Sequence, residues 1–164
     1  MSEASPDSLD PGDLPDEIWA RLLRAADDPW EVEAPSGFDF VEAKERFLLL
    51  VQAVERVVGP AGDVEVWPLV RGATFHGAVQ LPPGALARDA AAASVRVSNF
   101  GNLATIHPVD DALAAPDVAG GLRRAIERTG YRYVPTRVLR RPYTGHHMGK
   151  APIADWLTRF FDYL

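Results

Sequence analysis

Residues 39–60 read DFVEAKERFLLLVQAVERVVGP, the clearest helical pattern in the chain. Asp39 and Glu42 have the cap-to-third-position spacing of a capping box, with Asp in place of the usual Ser or Thr. Phe40, Ala43, Phe47, Leu50, Val51, Val54, Val57 and Val58 recur at helical spacing, while Lys44, Glu45, Gln52, Glu55 and Arg56 fill the opposite face. Gly59 followed by Pro60 ends the pattern with a residue suited to a left-handed turn and one that cannot continue a helix. A helix this long with one apolar stripe must lie against something, and the residues that follow read as a sheet.

Residues 63–70 alternate Val64 and Val66, with Pro68 marking an edge strand or a bulge. Residues 73–81 form a second strand ended by Pro82, Pro83 and Gly84. Residues 94–98 and 103–107 flank Asn99, Phe100, Gly101 and Asn102, a hairpin with turn-forming residues at its tip. Residues 85–93 are alanine-rich and ambiguous. A short helix is expected over residues 118–129, capped by Asp117 and closed by Gly130. Residues 131–139 read as a further strand interrupted by Pro135, and residues 141–150 as a loop. On the N-terminal side, a helix over residues 15–26 has Asp13 as its cap and an apolar face of Ile18, Trp19, Leu22, Leu23 and Ala26. Residues 27–37, DDPWEVEAPSG, form a loop whose one large side chain is Trp30.

At the other end, Ile153, Trp156, Leu157, Phe160, Phe161 and Leu164 fall on one face of an amphipathic helix that opens at Pro152. Asp155 and Arg159 have the spacing of a pair one turn apart. Each aromatic side chain on this face would bury about 150–250 Å², so the segment is expected to dock on the core. Together these elements predict an α+β fold: an antiparallel sheet of about 4–5 strands covered by the long central helix and the C-terminal amphipathic helix. Residues 1–12, acidic with Ser and Pro, read as a disordered tail, and residues 13–164 as a single domain.

Charge is divided along the chain. Residues 1–70 carry 16 acidic and 5 basic side chains, and residues 71–164 carry 7 acidic and 12 basic, so the halves have net charges of −11 and +5. Between residues 119 and 141 stand seven arginines, Arg123, Arg124, Arg128, Arg132, Arg137, Arg140 and Arg141, with Glu127 the one acid among them. Such asymmetry steers a charged partner to one face or draws the halves together within the fold. Arginine far outnumbers lysine, and Ala, Gly and Pro are abundant, as in proteins of GC-rich bacterial genomes; this composition discounts the arginine count as a signal. There is no Cys, which removes disulfides, thiolate metal sites and cysteine nucleophiles. The N-terminal residues have no secretory pattern, and the apolar runs fall far short of the ~20 residues of a membrane span. The expectation is a cytoplasmic protein.

No catalytic signature stands out. His146 and His147 lie in a Gly-flanked loop, but adjacent histidines chelate one ion poorly, and a metal site would need His76, His107, Asp110 or Asp111 brought in by the fold. His107 with the two carboxylates of Asp110 and Asp111 could form an acid/base pair, or be turn chemistry. Neither a nucleophile elbow nor a phosphate-binding glycine loop is present. No cofactor or metal is predicted. Arg124, Arg128, Arg132, Arg137, Arg140 and Arg141, interleaved with Tyr131, Tyr133 and Tyr143, have the composition of a nucleic-acid face or of a protein interface. The net charge of −6 argues against nucleic acid.

Tyr143, Thr144 and Gly145, then Trp156, then residues 159–164, RFFDYL, resemble the ends of small stand-alone bacterial proteins, among them proteins grouped with the immunity proteins of polymorphic toxin systems. The resemblance covers about a fifth of the chain, and its residues are structural. It implies a cytoplasmic module that binds a protein and carries no catalysis of its own. The acidic first half agrees with that, since inhibitors of basic toxin domains match them by charge. The sequence therefore points first to a protein-binding module with Asp27, Asp28, Trp30, Glu31 and Glu33 as contacts. A metal-assisted or acid/base enzyme using histidines and a nucleic-acid-associated protein using the arginines remain as alternatives.

Overall fold

A computed structural model describes residues 14–68, 75–86, 92–107, 115–149 and 152–161. Asp13, the acidic tail, Asp110, Asp111, most of the alanine-rich stretch and residues 162–164 lie outside them.

The chain forms α1 (Asp16–Ala26), α2 (Phe40–Val58), β1 (Val64–Pro68), β2 (Phe75–Gln80), β3 (Ser94–Val97), β4 (Leu103–His107), α3 (Pro116–Arg128), β5 (Arg132–Tyr133), α4 (Thr136–Leu139) and α5 (Trp156–Phe161). The strands make one sheet in sequence order. β1 to β4 are antiparallel, and β5 pairs in parallel with β4 through Leu103–Arg132 and Ala104–Tyr133. The architecture is α+β, as the sequence predicts, with one change: the sheet is mixed. A parallel strand needs a crossover, and α3 supplies it between β4 and β5.

α2 forms for the reasons its sequence gives. The Asp39 carboxylate accepts from the backbone N–H groups of Val41 and Glu42 at 2.9 and 3.0 Å. Glu42 does not complete the box; its carboxylate pairs with Arg46 one turn along. Gly59, at φ +85°, ends the helix. Phe47, Leu50, Val51 and Val54 point inward and meet Val79, Val95, Val97, Ala104 and Ile106 from the sheet, together with Leu122 and Ile126 from α3. The register explains this common face, because Val79 stands opposite Val95, which stands opposite Ile106. Each large apolar side chain buried here contributes about 1.5–3 kcal/mol. The approach of α2 is set by Gly77: a Cβ there would lie 2.7 Å from both the Phe47 ring and Val97.

The β3–β4 hairpin turns where expected, with Gly101 at φ +59° and Asn102 at φ +51°. Among the described residues β1 pairs with β2 alone, the edge position that suits Pro68. Two other readings differ in the structure. Residues 131–139 are not one strand: β5 ends after two residues, and Pro135 opens the single turn α4. α4 is tied to β4 because the Thr136 hydroxyl donates to the Ile106 carbonyl and Thr105 to the Val134 carbonyl, both at 2.8 Å. α3 begins at Pro116 without a side-chain cap, so Asp117 sits in the first turn instead of capping it.

The C-terminal segment docks on the core as its aromatic face predicts, in a cluster separate from that of α2. Trp156, Leu157, Phe160 and Phe161 are buried in a second cluster with Trp19 and Leu23 of α1, Val138 and Leu139 of α4, Phe100, Leu103 and Tyr143. Pro152 precedes the helix, and Asp155 caps it by accepting from the Thr158 N–H at 2.7 Å. Arg159 is thus free of Asp155 and turns elsewhere.

Candidate functional site

Arg159 lies on a buried face, a costly place for a charge unless it is paired. Its Nε donates to Asp27 Oδ1 at 2.7 Å, and the two side chains are 1% and 0% exposed. Asp27 Oδ2 accepts from the Tyr143 hydroxyl at 2.6 Å and from the His146 N–H at 2.9 Å. The two ends of the arginine fork donate to the carbonyls of Val32 and Glu31 at 2.7 and 2.9 Å. The guanidinium plane stands over Phe100, 4.2 Å from its centroid. Both charges are therefore compensated and hydrogen-bonded, the condition under which a buried ion pair is tolerated. Gly145 is obligatory beside this network, since a Cβ there would overlap Asp27 and Tyr143.

The network acts on one loop. Residues 27–33 follow α1 and are gripped from beneath by α5, through the two carbonyl contacts of Arg159. His147 adds a third hold: its Nε2 is 2.7 Å from the Asp28 carbonyl oxygen. A carbonyl only accepts, so Nε2 carries the proton. Asn99 Nδ2 donates to the Glu33 carbonyl at 3.2 Å. Within the loop, the Asp28 carboxylate accepts from the N–H groups of Trp30, Ser36 and Glu31 at 2.8, 3.1 and 3.0 Å. Those bonds, Trp30 first, hold its pKa below the usual carboxylate range. The Tyr143 phenol is pushed up, first by burial and then by its hydrogen bond to Asp27.

What the loop presents is aromatic and acidic. Trp30 is 84% exposed. Val32 is exposed as well, and Glu31 and Glu33 alternate with them on the surface. Met148, 68% exposed, follows the histidine that holds Asp28. Of the five acidic-loop residues singled out in the sequence, Trp30, Glu31 and Glu33 thus face solvent. Asp27 does not, because its carboxylate is wholly inside the fold, and Asp28 is turned to its own loop's backbone. Sequence reasoning missed Arg159, Tyr143 and His147 as the loop's supports. Nothing in their local pattern separates them from surface residues, since each partner lies more than 100 positions away.

The arginine run is divided by the fold. Arg123 lies over the Tyr133 ring at 5.1 Å, and Arg141 pairs with Asp16, whose pKa it lowers. Arg132, Arg137 and Arg140 are exposed on and beside β5 and α4. Arg124 and Arg128 line a cleft between α2 and α3. Among the described residues, Arg159–Asp27 and Arg141–Asp16 join the charged halves of the sequence, and the Arg137 charge also acts on Asp16. Among the described residues, no three His, Asp or Glu side chains come together as a metal site. His146 is exposed, and the His76 side chain lies outside the description. No helix among the described residues is long and apolar enough to cross a membrane.

The chain matches no protein-family model, no curated protein and no solved structure.

Proposed function

We propose that the protein is a non-catalytic binding module and that residues 28–33 dock a protein partner with a basic face. The observation that carries this reading is a tryptophan 84% exposed at the tip of a loop anchored by a buried ion pair. An exposed indole forgoes the burial of about 150–250 Å² that a covering partner would supply. Tryptophan is also the residue most enriched among the side chains that dominate binding energy. Holding the loop's backbone in advance lowers the entropy lost on docking. Glu31 and Glu33 flank the anchor and give the electrostatic complement to a basic surface.

An immunity-type inhibitor of a basic toxin domain is the form of this role that the acidic half supports best. Such a protein acts inside the cell, by covering another protein's working face and without chemistry of its own. The test is a pull-down from lysate of the source cells, with nuclease present, comparing wild type with Trp30→Ala/Glu31→Lys/Glu33→Lys. The expected result is one near-stoichiometric protein retained by wild type and lost by the variant. A partner retained equally by both would contradict the loop assignment.

A further inference from the structure

Where α2 and α3 cross, the residues facing each other are small. Ala53, Gly121 and Ala125 form a floor, and a Cβ on Gly121 would lie 2.8 Å from Val57. The helices therefore come close at the base and part above it, leaving an open cleft of about 540 Å³. That is within the range of small-molecule sites, about 300–1,000 Å³. Arg56 from α2 and Arg124 and Arg128 from α3 line it, and no acidic residue does. The α3 pair is one helical turn apart, so both guanidinium groups reach the same side, and Arg124 bends back over Gly120.

Three like charges around one concavity repel one another, and among the described residues none of the three has a carboxylate partner. This is the more unusual in a chain of net charge −6, where acidic partners are abundant. From this juxtaposition we propose that the α2–α3 cleft is a binding site for a small organic polyanion carrying phosphate or carboxylate groups. Planar guanidinium forks pair with such oxyanions two bonds at a time. Leu49 and Val57 supply an apolar wall for the carbon part of the ligand, and Gln52 a neutral polar contact. The site is independent of the docking loop, to which neither helix contributes a contact named above.

The test is calorimetric titration of the whole protein at low salt with pyrophosphate and, separately, citrate, to tell phosphate from carboxylate chemistry. One-to-one saturable binding of either is expected. Arg124→Gln and Arg128→Gln should each weaken it about tenfold or more, the usual consequence of losing one charge-assisted contact. All three arginines are exposed, so these variants should fold; an unchanged far-UV spectrum checks this. Arg124→Lys/Arg128→Lys keeps the charge but loses the forks, and a clear loss of affinity is expected there too. Affinity unchanged in the lysine variant would overturn fork recognition. So would no saturable binding of either anion, or an equal loss in Arg140→Gln, which lies outside the cleft. Tighter binding of a single-stranded oligonucleotide, weakened also by Arg132→Gln and Arg140→Gln, would assign the charge to a nucleic-acid surface and overturn the cleft.

Discussion

The two cores of this molecule are built on different principles. Beneath α2, Phe47, Leu50 and Val54 meet Val79, Val95 and Ile106 in a layer of apolar side chains, with Tyr131 and Tyr133 its only polar-tipped members among the described residues. Beneath α5, Trp156, Phe160 and Phe161 surround an ion pair, a phenol and a row of backbone carbonyls. An apolar layer is forgiving, because hydrophobic side chains of similar volume replace one another at modest cost. A buried polar network is not, because each group left unpaired carries its full desolvation cost. The first core holds the sheet together. The second fixes one conformation of a surface loop, the preorganisation that the proposed docking role calls for.

Breaking each core at its centre should cost similar energy with different consequences. Phe47→Ala is expected to lower stability by about 3–5 kcal/mol, and Arg159→Met, which strands Asp27, by about 3–5 kcal/mol. Chemical denaturation measures both. The difference lies in the loop: only the Arg159 variant should release residues 28–36 in amide exchange. Asp27→Leu/Arg159→Met removes both charges, so it should cost less than the sum of the single changes by about 0.5–3 kcal/mol. Additive costs would show that the pair does not act as a unit.

Smaller effects follow at the edges of the two cores. Gly77→Ala overpacks the apolar core against Phe47 and Val97 and should cost about 1–3 kcal/mol. Tyr143→Phe removes a hydroxyl that donates to Asp27 and accepts from the His147 N–H at 2.9 Å; about 1–3 kcal/mol is expected. pH separates the regions further. The pKa of Asp28 is depressed in the fold, so its contribution is present above the unfolded value of about 3.9 and is lost as pH falls through the folded value. The amides of Trp30, Glu31 and Ser36 should therefore lose protection in acid before those of α2 do. The Tyr143 pKa is raised, so its contribution is present below about pH 10 and is lost as pH rises through the folded value. The smallest effect belongs to Trp30→Ala: stability within about 0.5 kcal/mol of wild type, with partner affinity lost.

How much of this was legible in the sequence tracks the same division. α2, the β3–β4 hairpin and the edge strand at Pro68 were readable, because hydrophobic periodicity and turn residues are local signals. The second core was not. Arg159 has the spacing to pair with Asp155, and only the fold shows that Asp155 caps α5 while Arg159 reaches back to Asp27. Asp27 and Asp28 are adjacent and chemically alike, yet one is buried in the core and the other turned to its own loop. A composition of clustered carboxylates cannot distinguish them. A strand over 131–139 overextends β5: the alternation of Tyr131, Arg132 and Tyr133 is local, while the pairing that limits β5 to two residues is set by β4. In the arginine run, Arg124 and Arg128 stand one helical turn apart, a local signal, but Arg56, the third cation of their cleft, lies 68 positions away from Arg124 and carries no local signal.

α5 holds the loop through the arginine fork, and amide exchange of Arg159→Lys is the measurement closest to that contact. Lysine keeps the charge beside Asp27 but cannot reach both carbonyls at once. Exchange at residues 30–36 should rise about tenfold, the equivalent of one charge-assisted hydrogen bond, while residues 47–58 of α2 stay unchanged. Equal exchange in both proteins, or a uniform rise across loop and helix alike, would contradict it.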